Sequence, residues 1–346
     1  MEDKAFFLIL LVILVSVGIY AYTTSNPAHE AYFMSGVGAR ETTAAPFIAV
    51  SDDGGKTFKT ASTHDVDDNR KLQVYDIKFI PGNEKLVYAG TNQGLLISKD
   101  DGMNWYLYAD LEKKLDEKTQ IYGITPNLDE PRQIFISAFK NDVGYLYETR
   151  DNFFTLENLI EFENSAIYSL DFNGGRLYMG LSDGRIMEYY PRSSTFRALA
   201  ALGSPITDVL AKNGTGLIYA ATKNKGVFVS ANGGNSFKTV NGSSDYRQET
   251  TRITGDNLIY AASLHGLART NDGGNNWTAL NAIVPKNTPI NAMTVDENGS
   301  IYASSGSMLY ISRDYGFSWQ TVRPLQNERE ISVIRASKNR VIIGTQ

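Results

Sequence analysis

Ser98-Lys99-Asp100-Asp101-Gly102-Met103-Asn104-Trp105 is the stretch that decides the fold, because its pattern returns at near-constant intervals along the chain. A Ser or Thr is followed two positions on by Asp or Asn, then by Gly, then by an aromatic residue. Ser51, Asp53, Gly55 and Phe58 repeat it, as do Ser230, Asn232, Gly234 and Phe237. Thr270, Asp272, Gly274 and Trp277 form another copy, and Ser312, Asp314, Gly316 and Trp319 the last. Two copies are eroded: Thr149 to Leu156 keeps Thr149 and Asp151 without the Gly, and Tyr189 to Phe196 keeps little beyond its closing aromatic. The first residues of the copies sit at 51, 98, 149, 189, 230, 270 and 312. Their mean step of about 43 residues is the length of a four-stranded propeller blade.

Local chemistry gives the box a structural task. Asp and Asn carboxyl and amide oxygens accept backbone N–H groups a few residues on, Gly supplies positive φ, and the aromatic pins the returning strand. The box is therefore expected to be the turn between the third and fourth strands of each blade. It lacks the clustered oxygen ligands of a calcium loop, so no metal is expected there. Around it lie short strand-like runs, such as Val74 to Ile80, Leu86 to Gly90 and Gly94 to Ile97, separated by turn residues. The second run of each unit carries small residues, as in Ile218-Tyr219-Ala220-Ala221, suited to the crowded inner part of a ring.

The ends of the repeat region specify closure. Ile331 to Arg335 and Val341 to Gln346 read as the first and second strands of a blade with nothing after them. Pro46 to Val50, leading into the first box, read as a third and fourth strand with nothing before them. Pairing the two halves completes a seventh blade and hides both sheet edges. The expected fold is thus an all-β, seven-bladed propeller over 47–346, closed by its N- and C-terminal strands.

Ahead of the propeller, Ala5 to Tyr22 is eighteen residues without a charge. As a helix it would be about 27 Å long, close to the hydrocarbon thickness of a bilayer. Tyr20-Ala21-Tyr22 puts aromatics where a signal-peptidase site wants small residues, so an uncleaved transmembrane anchor is expected over 5–22. Lys4 precedes the span and the next cation is Arg40, which favours a short cytoplasmic N-terminus (1–4) and an extracytoplasmic propeller. Residues 23–46, rich in Ser, Thr, Ala and Gly with two Pro, read as a flexible tether. The net charge of -5, without a polybasic run, argues against a nucleic-acid partner. The absence of Cys removes disulfides and thiol chemistry.

The repeat S-x-D-x-G-x-x-W/F resembles the Asp-box, or BNR, repeat of sialidases, sortilin-type receptors, some glycoside hydrolases and photosystem II assembly factors. The resemblance covers nearly all of 47–346. It is most similar to the photosystem II assembly-factor group, which pairs a seven-bladed Asp-box propeller with membrane association. That likeness implies a non-catalytic scaffold and a protein partner near the bilayer. Sialidases and xyloglucanase-like hydrolases supply the alternative of a cell-surface glycan-binding or glycan-cleaving protein. Sortilin-type propellers are larger and followed by Cys-rich modules that this chain lacks.

No cofactor is expected and no catalytic constellation is legible. His29, His64 and His265 are scattered, and no nucleophile elbow, phosphate loop or dinucleotide fingerprint occurs. Candidate binding residues come instead from the loops opposite the box turns, where a rigid scaffold usually carries recognition. These are Arg70 and Lys71 in the long 62–72 segment, with Asn92, Gln93, Asn141, Asp142, Asp183, Lys223, Lys225 and His265 around the channel mouth. Asp110 to Gln120 is the second long insertion, with Leu111 and Leu115 spaced as on one face of a short exposed helix.

Overall fold

A computed structural model describes residues 47–67, 70–108, 110, 112–240, 250–255, 258–280 and 288–346. The chain opens with β1 (Ile48–Ser51), β2 (Lys59–Thr60) and β3 (Ser62–His64). The first complete blade is β4 (Val74–Ile80), β5 (Asn83–Thr91), β6 (Gly94–Ser98) and β7 (Asn104–Tyr108). The second is β8 (Gln120–Pro126), β9 (Ile134–Lys140), β10 (Val143–Thr149) and β11 (Glu157–Glu163). The third is β12 (Ile167–Asn173), β13 (Arg176–Leu181), β14 (Arg185–Tyr190) and β15 (Thr195–Ala201). The fourth is β16 (Ile206–Lys212), β17 (Leu217–Thr222), β18 (Gly226–Ser230) and β19 (Lys238–Thr239). The fifth is β20 (Thr250–Gly255), β21 (Ile259–Ser263), β22 (Gly266–Thr270) and β23 (Thr278–Ala279), and the sixth β24 (Ala292–Val295), β25 (Ile301–Ser305), β26 (Met308–Ser312) and β27 (Gln320–Val322). The chain ends in β28 (Ile331–Ser337) and β29 (Arg340–Thr345).

Those last two strands join the first two in the order β2-β1-β29-β28, so the seventh blade is built from both ends of the propeller. Its seam runs Ile48 opposite Gly344, Ala49 opposite Ile343, Val50 opposite Ile342 and Ser51 opposite Val341. The closure expected from the sequence is therefore present, with third and fourth strands from one end and first and second from the other. The first blade gains a fifth strand, β3, which lies parallel to β7 and was not foreseen.

Apolar burial explains why the sheets stack as a ring. The middle strands are buried on both faces, as in Val87 to Thr91 of β5 and all of β6, while the outer β11 is largely exposed. Among the described residues there are seven hydrophobic clusters, each between two neighbouring blades. The cluster at the seam unites Ile48, Val50 and Ile342 with Val74, Val87 and the fully buried Trp105. Small residues in the second strands meet the expected need for close approach. A Cβ on Gly90 would lie 2.4 Å from the Ile121 carbonyl oxygen of the next blade, and one on Gly344 would lie 2.6 Å from Val74 Cβ.

Antiparallel order fixes the faces. Turns between first and second strands share one face with the box turns, called here the turn face. Loops from second to third strand and from blade to blade form the loop face, where Phe47 enters β1. Asp110 to Gln120 is not a helix among its described residues but a chain of turns and bends. The Asp110 carboxylate accepts the amides of Lys114 (3.0 Å) and Leu115 (2.7 Å), and Lys113 is left-handed at φ 54°, which breaks any helical run. No helix among the described residues is long and apolar enough to cross a membrane, and the span expected at 5–22 and the tether at 23–46 lie outside them.

Candidate functional site: the channel and its two faces

Six of the seven boxes form the same network. In the first complete blade Ser98 Oγ donates to Asp100 Oδ1 (2.9 Å) and accepts the Gly102 amide (2.9 Å), while Asp100 accepts the Asn104 amide (2.8 Å). Trp105 Nε1 closes the turn on the Gly102 carbonyl at 2.6 Å. Equivalent bonds hold Ser51 to Asp53 and Gly55, Ser230 to Asn232 and Gly234, Thr270 to Asp272 and Gly274, and Ser312 to Asp314 and Gly316. Trp277 and Trp319 repeat the indole bond to Gly274 and Gly316, while Phe58 packs against the cluster between the sixth and seventh blades and Phe237 against that between the third and fourth. The eroded copy keeps it too: Thr149 bonds Asp151 (3.0 Å) and the Phe153 amide (3.0 Å), with Phe153 in the Gly place at φ 71°. The Asn276 amide and carboxamide hold the Asp272 carboxyl down at about 2, and the Ser318 hydroxyl and amide do the same for Asp314. Asp272 and Asp314 are therefore charged at neutral pH and braced by donors of their own turns.

The channel is lined by the innermost strands, β4, β8, β12, β16, β20, β24 and β28, which contact one another in an unbroken cycle. In β4, β8, β12, β16, β20 and β28 the ladder slips by one residue near the strand start, at the second position of five of them (Tyr75, Tyr168, Thr207, Thr251 and Ser332) and the third of β8 (Tyr122). Such bulges re-aim side chains. Here Tyr75, Tyr122 and Tyr168 form an arc of touching rings, with centroids 4.8 and 5.0 Å apart, at the loop-face end of the channel.

The third position is a clasp between blades. Asp76 Oδ2 accepts the Ile124 amide (3.0 Å), Ser169 Oγ the Val209 amide (2.9 Å) and Asp208 Oδ2 the Ile253 amide (3.0 Å), each from the following blade. Arg335 adds an ion pair to Asp76 at 2.7 Å and a bond to the Ile77 carbonyl, tying the seventh blade to the first. Arg252 reaches across the channel from the fifth blade to the Tyr75 carbonyl of the first, at 3.3 Å. Burial works to raise the Asp76 carboxyl, but Lys78, Arg335 and the Ile124 amide together bring it below its usual value. Burial pushes Asp171 up to about 6 despite its bond from the Ala211 amide, and burial lowers the Lys78 ammonium. Charged side chains thus line and cross the channel, and Asp76 and Asp208 have both oxygens bonded.

The loop-face candidates separate into two groups. Arg70 donates to the carbonyls of Glu117 (2.8 Å) and Asn92 (3.1 Å). Asn92 bonds the Gln73 amide and the Lys71 carbonyl, and the fully buried Gln93 bonds the Asp67 amide and Arg70 carbonyl. Lys140 reaches Asp116 (2.8 Å) and the Lys113 carbonyl (2.9 Å). These bonds fuse the two long loops into one platform over the first two blades, from which Lys71, Glu112, Lys113, Glu117 and Lys118 project into solvent. Asn141 and Asp142 form an exposed turn with both φ positive, Asp183 pairs with Arg185 at 2.7 Å, and Lys225 bonds the Leu202 carbonyl. Lys223 is exposed and His265 half-buried at their own turns, so these residues ring the mouth without converging.

The turn face carries features that the sequence reading passed over. A cavity of about 660 Å³ at the seam is lined by Phe79, Pro81, Met103, Asp52, Glu84, Asp101, Lys338 and Arg340. Its charges are paired: Arg340 with Asp101 and Asp52, Lys338 with Glu84. All four exposed large hydrophobics among the described residues, Leu128, Phe154, Tyr315 and Phe317, also lie in turns of this face.

This geometry defines a seven-bladed β-propeller with a charged, clasped channel. No family profile and no curated protein matches the sequence. Among solved structures, the chain is similar to the extracellular domain of a putative one-component system, BT4673, from B. thetaiotaomicron, at 16% identity and TM-score 0.62, covering 79% of this chain and 37% of that one. It spans little more than a third of that neighbour. YCF48 bound to a D1 peptide aligns at 14% identity and TM-score 0.62, covering 80% of this chain and 92% of YCF48. A Niastella koreensis GH74 enzyme aligns at 13% identity and TM-score 0.62, covering 79% of this chain and 51% of the enzyme. Identities this low establish the shared propeller fold, and the neighbours' functions are mixed.

Proposed function

We propose that this chain is a membrane-tethered, extracytoplasmic propeller of the Asp-box type that acts without chemistry of its own, as a docking scaffold for a protein of a membrane complex. The observation that carries this reading is the fused platform on the loop face. Arg70, Gln93, Asn92 and Lys140 are spent inside it, so its exposed Lys71, Glu112, Lys113, Glu117 and Lys118 are presented on a preorganised surface. Preorganisation lowers the ordering cost of binding, and mixed surface charge suits recognition of a protein partner. Phe47 enters on the same face, so an anchor at 5–22 would hold the platform toward the bilayer. The propeller of YCF48 was solved with a bound peptide, which fits a peptide-binding role for this architecture. The hydrolase alternative is disfavoured by two of the channel acids, Asp76 and Asp208, which are occupied by amides and Arg335 or Ser169, and the remaining one, Asp171, is tied to the Ala211 amide.

The test is site-specific photo-cross-linking in the native membrane from positions 71 and 118, compared with charge reversal at both (Lys71→Glu with Lys118→Glu). One defined membrane protein should be captured, with yield reduced at least tenfold by the reversal. Equal capture after reversal, or sugar release from a polysaccharide panel with no membrane protein captured, would overturn the reading.

A further inference from the structure

Six boxes share a backbone in which two consecutive residues are left-handed. At the first of these the chain places Gly54, Asp101, Asn152, Gly233 and Gly273, residue types that tolerate the conformation, but the last box places Tyr315 there at φ 59°. A bulky side chain in that region is an outlier that the surroundings must hold in place. Tyr315 is 51% exposed, so core packing does not account for it. Two positions on, Lys56, Met103, Asn235 and Asn275 stand in four of the other boxes, while an exposed Phe stands in the Thr149 box (Phe154) and in this one (Phe317, 71% exposed).

A third departure meets these two. The residue before the box is a buried aliphatic in four blades (Val50, Ile97, Val229 and Ile311) and a buried Glu in the second and third (Glu148 and Glu188), and the fifth alone has a cation there, Arg269. Its guanidinium lies 5.0 Å from the Phe317 ring centroid, donates to the Tyr315 carbonyl at 2.7 Å and bonds the Tyr260 hydroxyl. The three residues border an open groove of about 340 Å³ between the fifth and sixth blades, shared with Asn271, Asn276 and Thr278. Asn276 is committed to Asp272, whereas the Asn271 carboxamide and Thr278 hydroxyl have no hydrogen-bond partner among the described residues and are exposed. The groove therefore offers an exposed aromatic ring braced by a guanidinium, a second aromatic beside it, and uncommitted amide and hydroxyl groups. Its volume is at the small end of the ~300–1,000 Å³ range of ligand pockets.

We propose that this groove is a binding subsite for an uncharged pyranose ring of a saccharide chain. The C–H face of such a ring packs on an aromatic face, and its neighbouring hydroxyls both donate and accept, matching a carboxamide, a hydroxyl and a fixed guanidinium. A lone apolar side chain would leave those polar groups without partners. An anionic ligand would meet the charged Asp272 and Asp314 in the flanking turns. Being shallow and on the turn face, the subsite is independent of the loop-face platform, and its affinity for a single ring should be on the order of 1 mM.

The test uses full-length protein in lipid nanodiscs on an array of neutral oligosaccharides, with titration of those retained. The variants return each position to the residue found in other blades, so the fold has a precedent for each: Phe317→Asn, Tyr315→Gly and Arg269→Val. Binding of at least one neutral glycan, weakened tenfold or more by Phe317→Asn and by Arg269→Val with unchanged thermal unfolding, is expected. Retention of no neutral glycan, or binding that survives Phe317→Asn, overturns the proposal. A protein cross-linked from position 317 with no glycan retained would also overturn it and assign the groove to a protein partner, leaving the platform test unaffected.

Discussion

Replacing Asp76 by Ala removes the residue that joins three blades at once. Its carboxylate accepts the amides of Ile77 and Ile124, each at 3.0 Å, and pairs with Arg335 at 2.7 Å. The variant leaves two buried donors without acceptors, at about 1–3 kcal/mol each. It also strands the Arg335 guanidinium, a loss of roughly 3–5 kcal/mol for a fully buried pair. Arg335 is 23% exposed and keeps the Ile77 carbonyl, so water and that bond recover much of the last contribution. The expected total is about 4–6 kcal/mol. With ~2.1 cal/mol/K per residue over roughly 300 residues, this corresponds to a fall in Tm of about 8 °C. The assay is thermal unfolding followed by far-ultraviolet circular dichroism at pH 7, with Asp76→Asn, which keeps one acceptor, expected to fall about half as far. Because the folded carboxyl lies below its unfolded value of ~3.9, the stabilisation is present above about pH 4 and is lost as pH falls through the folded value. A fall of less than about 3 °C for Asp76→Ala at pH 7 would refute the clasp as a structural element.

Asp171 behaves in the opposite sense. With its folded value raised to about 6 by burial, its charge destabilises the fold as pH rises from about 4 through 6. Asp171→Asn should be more stable than the parent by about 1–2 kcal/mol at pH 8, allowing for channel water, and no more stable at pH 4; urea midpoints at the two pH values check this. Gly344→Val should lower stability by roughly 2–3 kcal/mol, because its Cβ would fall 2.6 Å from Val74 Cβ at the closing seam. An unchanged urea midpoint would contradict that close approach. Tyr315→Gly should leave stability unchanged or raise it by up to ~1 kcal/mol, the left-handed strain outweighing the entropy of Gly; a loss beyond ~1 kcal/mol would mean that Tyr315 is held for packing.

The fold was legible because its evidence is local and periodic. Every bond of a box closes within four residues, as from Ser98 to Gly102 and Asp100 to Asn104, so each turn can be read from its own eight letters. Repetition of that turn counted the blades, and the half-blades at Phe47 and Gln346 specified the seam now seen between Ile48 and Gly344. Even the eroded copy at Thr149 kept its place because the hydroxyl and carboxylate suffice to hold Phe153 in the Gly conformation. The candidate site was much less legible. Whether Arg70, Asn92 and Gln93 face a partner or hold a loop depends on carbonyls more than twenty residues away, such as Glu117 and Lys71. The clasps from Asp76, Ser169 and Asp208 span 40 to 48 residues, and Arg252 meets Tyr75 across the ring. Tyr315 at a position otherwise given to Gly, Asp or Asn was the one signal of the turn-face groove present in the letters.

By itself, then, the sequence determined the number of blades, the place of each turn and the way the ring closes, because hydrogen bonds within a turn do not depend on the rest of the chain. The tertiary structure alone decided which polar side chains are spent and which are presented. That division is set by ring curvature, which brings the inner strands of successive blades within bonding distance and Arg269 beneath Phe317.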